Sequence, residues 1–269
     1  MSQHSDFPPL PAIMVAPNGA RRTKADHPAL PMTIGETVET ARACFEAGAQ
    51  GIHAHVRGPD GAHVLDAGLY RELLSEMQVA VPRMQVQITT EAVGLYSPQI
   101  QRELVYDVKP KAVSVAIREM VPERETDAAG VFYARALDQG SCIQHIVYSA
   151  EDLSRFFGLV AEGVIPGRRH QLLFVLGRYS SGQESDPDDL SPFLNVLETN
   201  RRDFDLDWAV CAFGHRETDC LVRASEEGGK ARIGFENGFW NRDGSLAKDN
   251  ADRVRDLVSA LKENTPVRS

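Results

Sequence analysis

The sequence predicts a single-domain (β/α)8 barrel, and three observations carry that expectation. Eight short apolar runs alternate with eight longer amphipathic stretches, at roughly 34 residues per unit. Regular strand–helix alternation calls for a parallel sheet with helical crossovers, and eight such units are the number that closes the sheet on itself. The length of 269 residues suits one barrel domain over 1–269, with the polar, proline-bearing stretch 1–10 as a flexible tail. An open doubly wound sheet is the rival architecture. No G-x-G-x-x-G follows any strand candidate, so a dinucleotide-binding fold gains no support.

The first apolar run, 12–16, feeds a loop of Pro, Gly and Arg. Thr33 and Glu36 then carry the spacing of a capping box. The helix they open has Val38, Ala41, Phe45 and Ala49 near helical spacing, and Gly48 or Gly51 stops it. The second run is 51–56. Asp66 is placed to cap the next helix, which sets Leu69, Leu73, Leu74 and Met77 on one face. Further strands are expected at 84–89, 112–116, 143–147, 172–176, 208–212 and 231–235. Helices are expected between and after them at 98–106, 126–137, 150–161, 190–198, 218–227 and 247–261. The polar stretch 177–189 reads as a long loop after the sixth strand.

Composition narrows the function classes. With 42% hydrophobic and 25% charged residues the chain reads as an ordinary soluble protein. A net charge of −9 argues against a nucleic-acid surface, which needs clustered Lys and Arg. No apolar run approaches the roughly 20 residues of a membrane span. Residues 1–10 lack the basic-then-apolar pattern of a signal peptide. Cys44, Cys142, Cys211 and Cys220 show no CxxC spacing, so buried free thiols in a reducing, cytoplasmic setting are expected.

A barrel keeps its active site at the C-terminal ends of its strands, so the chemistry is sought there. His53 and His55, two apart on the second strand, point to one face. Interior layers draw on alternate strands, so Glu236 at the end of the eighth strand can share a layer with them. Two imidazoles and one carboxylate leave a fourth position open, the pattern of a catalytic zinc. A pair of buried, hydrogen-bonded histidines without metal is the plainer alternative. Arg232, four residues before Glu236, should face inward and deeper, where it must be paired or meet a ligand carboxylate. Arg57 lies just past the histidines and is expected to meet a substrate or loop carboxylate. Thr89 and Thr90 offer hydroxyls at the third strand end. Gly214 opens the loop after the seventh strand, a common phosphate-binding region in barrels. His27, His63 and His170 fall in loop contexts and read as solvated, while His145 on the fifth strand reads equally as core or site.

On these residues the sequence resembles the β-keto acid cleavage enzymes, over nearly the whole chain. Leu30-Pro-Met-Thr33 through Ala47-Gly-Ala49 is similar to that family's start. His53-Ala-His-Val-Arg57, with Pro59-Asp-Gly61 and Asp66, resembles its HxHxR loop. Phe174-Val-Leu-Gly177 resembles its sixth strand and Arg232-Ile-Gly-Phe-Glu236 its RxGxE strand. Asp243-Gly244 with Asn250 resembles the family's segment after that strand. The HxHxR and RxGxE pair is the specific part; HxH alone is not.

The resemblance implies a zinc-dependent enzyme that takes a β-keto acid and acetyl-CoA to acetoacetate and the CoA ester of the remaining acyl group. It implies zinc on His53, His55 and Glu236 as a Lewis acid, Arg232 as the catalytic arginine, Thr89 as a hydroxyl near the substrate, and a homo-oligomer, dimer or tetramer. Two positions depart from the family pattern. Asn237 stands where the family has an aspartate of the deprotonating dyad, and an amide cannot act as a base. Arg21 stands where a glutamate is common; it either adds positive charge beside the metal for an anionic substrate or points away. Glu91 and Glu119 are the carboxylates that can replace the missing one. Two other classes stay open: a metal-dependent barrel hydrolase or aldolase working without CoA, and a metal-containing binding protein without catalysis. Amidohydrolase-like barrels also use HxH, but on the first strand, and they end in an aspartate.

Overall fold

Runs rich in Val, Ile, Leu and Ala form the strands β1 (Ile13–Val15), β2 (Gly51–Ala54), β3 (Gln85–Thr89), β4 (Ala112–Ala116), β5 (Cys142–Val147), β6 (Arg169–Leu176), β7 (Asp205–Ala212) and β8 (Lys230–Ile233). The computed structural model describes residues 7–122, 125–200 and 203–264. The strands pair in chain order, all parallel, and β1 joins β8 through Ile13 against Ala231 and Val15 against Ile233. The result is the closed single-domain (β/α)8 barrel that strand–helix alternation foretells.

The helices are α1 (Ile34–Ala47), α2 (Ala67–Ala80), α3 (Pro98–Val108), α4 (Ile117–Met120), α5 (Thr126–Asp138), α6 (Ala150–Ala161), α7 (Ser191–Asn200), α8 (Glu217–Glu226) and α9 (Asn250–Glu263). Their starts follow local chemistry. Thr33 and Glu36 form both halves of the capping box, Asp66 accepts from the Leu69 N–H, and Gly48 ends α1 in the left-handed region at φ 118°. Leu73, Met77, Phe132, Phe156, Phe174 and Leu257 pack in the continuous apolar layer between barrel and helices. None of the helices among the described residues is long and apolar enough to cross a membrane.

Three departures from expectation have local causes. Residues 1–6 lie outside the described residues, but 7–10 are no loose tail. The Leu10 N–H donates to Asp207 Oδ2 at 2.7 Å, the Pro8 carbonyl accepts from Gln171 Nε2 at 3.0 Å, and the Leu10 side chain joins the lumen cluster with Leu173 and Ala209. These anchors also explain why β6 and β7 begin earlier than their apolar runs. Second, α4 is a single turn that the sequence pattern does not announce. Third, β8 stops at Ile233 rather than Phe235. Gly234 sits at φ 146°, and a Cβ there would lie 2.4 Å from the Ala16 carbonyl oxygen. The chain turns at this glycine and delivers Glu236 from a loop over the barrel mouth.

Candidate metal centre and active site

His53 stands opposite Gln87 in the β2–β3 register, which is why the two side chains meet inside the barrel. His53 Nδ1 lies 2.8 Å from Gln87 Oε1, Gln87 Nε2 donates to Gln144 Oε1 at 3.0 Å, and Gln144 Nε2 donates to the Leu172 carbonyl at 3.2 Å. A carbonyl only accepts, so the relay fixes every proton along it and assigns the hydrogen of His53 to Nδ1. A second relay works the same way. His63 Nε2 lies 2.9 Å from the Glu91 carbonyl and must carry a proton, so its Nδ1 accepts from His55 Nδ1 at 3.4 Å. Both Nε2 atoms are therefore bare lone pairs, and they face each other at 3.2 Å.

Glu236 completes this cluster. Its Oε2 lies 3.7 Å from each Nε2 and has no hydrogen-bond partner among the described residues. Burial, followed by the positive charge of Arg232, pushes His53 down to about 4; burial and the neighbouring rings hold His55 well below its ordinary value. Burial raises Glu236, but Arg232, His53, Arg178 and Arg22 outweigh it and hold it below the usual carboxylate range. Three unprotonated Lewis bases converging in a buried space repel one another unless a cation sits among them. Their ligand atoms lie within 4.8 Å of one another. The donor set, two neutral imidazoles and one carboxylate, is that of a divalent metal site with an open position. Gly19 makes room for it: a Cβ there would lie 2.6 Å from Glu236 Cγ.

The cavity beside this cluster has a volume of about 140 Å³. His53, Glu236, Thr89, Arg232 and Arg21 all line it, so most of the expected residues meet there. Arg232 is buried; its Nη2 reaches Glu236 Oε1 and Cys211 Sγ, both at 3.3 Å, while its Nε and Nη1 have no partner among the described residues. Thr89 Oγ1 accepts from the Glu91 N–H at 3.0 Å, which leaves its hydroxyl proton free. Ser114, opposite Thr89 in the β3–β4 register, adds a hydroxyl without a partner among the described residues. Glu91 lies 3.9 Å from His55 and 4.0 Å from Arg178, and burial followed by the charge of Glu236 pushes it up to about 7. Sequence reasoning does not single out Arg178 and Ser114. An arginine after a strand-end glycine and a serine in an apolar strand are the signals available for them.

Other expected residues stand elsewhere. Arg57 is not on the cavity wall. Its Nη1 and Nη2 donate to the carbonyls of Asn18, Gly19, Ala20, Arg22 and Gly61, so it shapes the loop after β1 instead of meeting a carboxylate. Gly214 packs against Glu184, whose carboxylate accepts from the His215 N–H; a carboxylate fills the place expected for a phosphate. Asn237 is fully buried, lies off the cavity wall, and neither side-chain polar atom has a partner among the described residues. Glu119 holds the Ala92 N–H at 2.9 Å and so supports the Glu91 loop. The three histidines read as solvated are all buried: His63 in the relay above, His27 bonded to the Ala247 carbonyl, and His170 beside His145 in the layer between barrel and helices.

The protein-family model described as beta-keto acid cleavage enzyme matches residues 12–266. Among characterised relatives, a 3-oxoadipate:acetyl-CoA acetyltransferase of Cupriavidus necator is 28% identical, over 93% of this chain and 88% of its own. A 3-keto-5-aminohexanoate cleavage enzyme of Fusobacterium nucleatum is also 28% identical, over 93% and 91%. A 3,5-dioxohexanoate:acetyl-CoA acetone transferase of Paraburkholderia graminis is 24% identical, over 93% and 89%. Among solved structures, ObcA with oxaloacetate superposes with a TM-score of 0.69 at 15% identity, covering 88% of this chain and 64% of that one. A 3-dehydroquinate dehydratase of Geobacillus kaustophilus gives 0.60 at 13% identity, over 95% and 93%. Both structural likenesses speak to the fold. With the family model spanning nearly all of the barrel and both halves of the His–His–Glu cluster, the chain belongs to the beta-keto acid cleavage enzyme family.

Proposed function

We propose that this chain is a zinc-dependent β-keto acid cleavage enzyme that converts a β-keto acid and acetyl-CoA to acetoacetate and a new acyl-CoA. In this exchange the C2–C3 bond of the keto acid breaks, C2 bonds to the acetyl carbonyl carbon, and the released acyl group leaves on the CoA sulfur. The observation that carries the reading is the convergence, at one wall of a cavity, of two bare Nε2 lone pairs and a Glu236 oxygen without a partner among the described residues. The names of the relatives, which pair keto acids with acetyl-CoA, support the substrate class.

His53, His55 and Glu236 would hold the zinc, which when bound supplies Lewis acidity to the keto oxygen and steadies the negative charge left as a proton departs. Arg232 lines the cavity and has two donors without a partner among the described residues, so it would bind the substrate carboxylate as a charge-assisted pair. Thr89 and Ser114 donate hydroxyl hydrogens to the bound acid. Asn237 has no basic atom, and Glu91 is the carboxylate on the cavity wall that is not a proposed ligand, so Glu91 takes the C2 proton. Arg21 and Arg178 give the cavity mouth a positive field that draws in anionic acid and thioester. The four buried free thiols support a reducing, cytoplasmic setting. The family resemblance supports a dimer or tetramer, which light scattering would test.

The test is turnover of three six-carbon acids, 3-oxohexanoate, 3-oxoadipate and 3-keto-5-aminohexanoate, with acetyl-CoA and zinc-loaded protein. Acetoacetate should appear with at least one of them and require acetyl-CoA. Turnover that proceeds equally without CoA would move the chain to the hydrolase or aldolase class, and silence with every acid would sink the reading.

A further inference from the structure

The lumen is divided by polarity. His53, Thr89, Arg232 and Glu236 gather on β2, β3, β8 and the loop after β8. The facing wall, from β4 to the residue after β7, carries Ala116, Ile146, Val175 and Phe213, with Ser114 and Tyr148 also lining the cavity there. The first four form one apolar cluster with Leu173, Ala209 and Cys211, and each is nearly buried, so they offer the cavity only methyl groups and a ring.

The charges around this wall are already engaged. Arg118, just past β4, holds Asp152 at 2.7 Å and lies near the faces of Tyr148 and Tyr179, at 5.4 and 5.3 Å from the ring centres. Arg178 covers the Phe213 ring at 5.3 Å and points Nη2 toward Glu91. A carboxylate or ammonium at the far end of a substrate would lose its hydration against this wall, while Arg21 and Arg22 stand on the loop after β1, on the polar side of the cavity.

We infer that this enzyme selects a β-keto acid whose acyl tail is short and uncharged, and that Ile146 and Val175 set the preference. The inference rests on the proposed reaction for the placing of the reacting end, beside the His–His–Glu cluster. The volume of about 140 Å³ limits the tail to a few carbons beyond the keto group.

Binding separates this inference from the reaction. The three six-carbon acids are titrated calorimetrically into zinc-loaded protein without acetyl-CoA. 3-Oxohexanoate should bind at least about 30-fold tighter than 3-oxoadipate or 3-keto-5-aminohexanoate, the two carrying a terminal carboxylate and an amine. Val175→Glu should reverse the order in favour of the amine, and Ile146→Ala should admit 3-oxooctanoate. Ratios between acids on one sample do not depend on how much of a variant folds. Equal or tighter binding of either charged acid to the wild type, or a Val175→Glu ratio that stays unchanged, overturns the inference. The predicted binding order with no acetoacetate on adding acetyl-CoA supports the inference and sinks the proposed reaction. Acetoacetate formed mainly from a charged acid that also binds tighter does the reverse.

Discussion

His63 shows how much a single proton decides in this cavity. It touches neither substrate nor, in the proposed site, metal, yet it accepts the Nδ1 proton of His55 and so leaves Nε2 bare. His63→Ala should therefore fold normally by circular dichroism and bind zinc about 10- to 100-fold more weakly; unchanged affinity would mean that the relay does not set the tautomer. At Glu91 and Asn237 the expectation is a contrast. Glu91→Gln should lower turnover by roughly 10²- to 10⁴-fold with zinc content intact. Asn237→Asp should not raise turnover, because the position is buried away from the cavity, and it should lower the melting temperature by burying a carboxylate without a partner. A gain of activity in Asn237→Asp would restore that position to the chemistry.

The loops after β1 and β8 are one unit built to aim Glu236. Arg22 binds the Phe235 carbonyl at 2.9 Å and the Asn237 carbonyl at 3.2 Å, while Arg57 holds the loop that carries Arg22. From α9, Asn250 accepts from the Phe235 N–H and donates to the Pro17 carbonyl, and Arg253 pairs with Glu217, fully buried, at 2.8 Å. Removing one partner of such a pair leaves a charge without compensation, so Arg253→Ala should cost about 3–5 kcal/mol in denaturant unfolding. A cost under about 1 kcal/mol would show the pair to be incidental. Much of this architecture is legible in the sequence. Thr33, Glu36, Asp66 and Gly48 announce helix ends because capping is a matter of a few adjacent residues. His53, His55 and Glu236 are legible because period two along a strand and layer parity around a barrel are arithmetic. Arg57, Gly214 and His63 mislead, because their partners are backbone carbonyls, a carboxylate and a ring that only the folded loops bring near. The apolar wall is invisible as a wall, since its residues come from three different strands and the loop after β7.

At the scale of the whole molecule, burial sets the response to acid. Burial pushes His170 down to about 4, and burial with the nearby His170 ring holds His145 well below its ordinary value. Both pack between barrel and helices, away from the proposed metal. The unfolded chain binds protons at such rings below about pH 6.5 and the folded chain does not. Stability is therefore full above that pH and falls as pH drops toward 4; melting temperature against pH should decline through this window, and less steeply in a His170→Gln variant. A flat profile would mean that the rings take up protons without unfolding the layer. At the barrel mouth, His53, His55 and Glu236 are the groups that could hold a cation. The most direct check is metal analysis of the purified protein beside a His53→Ala variant. Close to one zinc per wild-type chain and almost none in the variant are expected, with both folded. A folded wild type that carries no divalent metal and binds none on titration with zinc would contradict the proposed metal site.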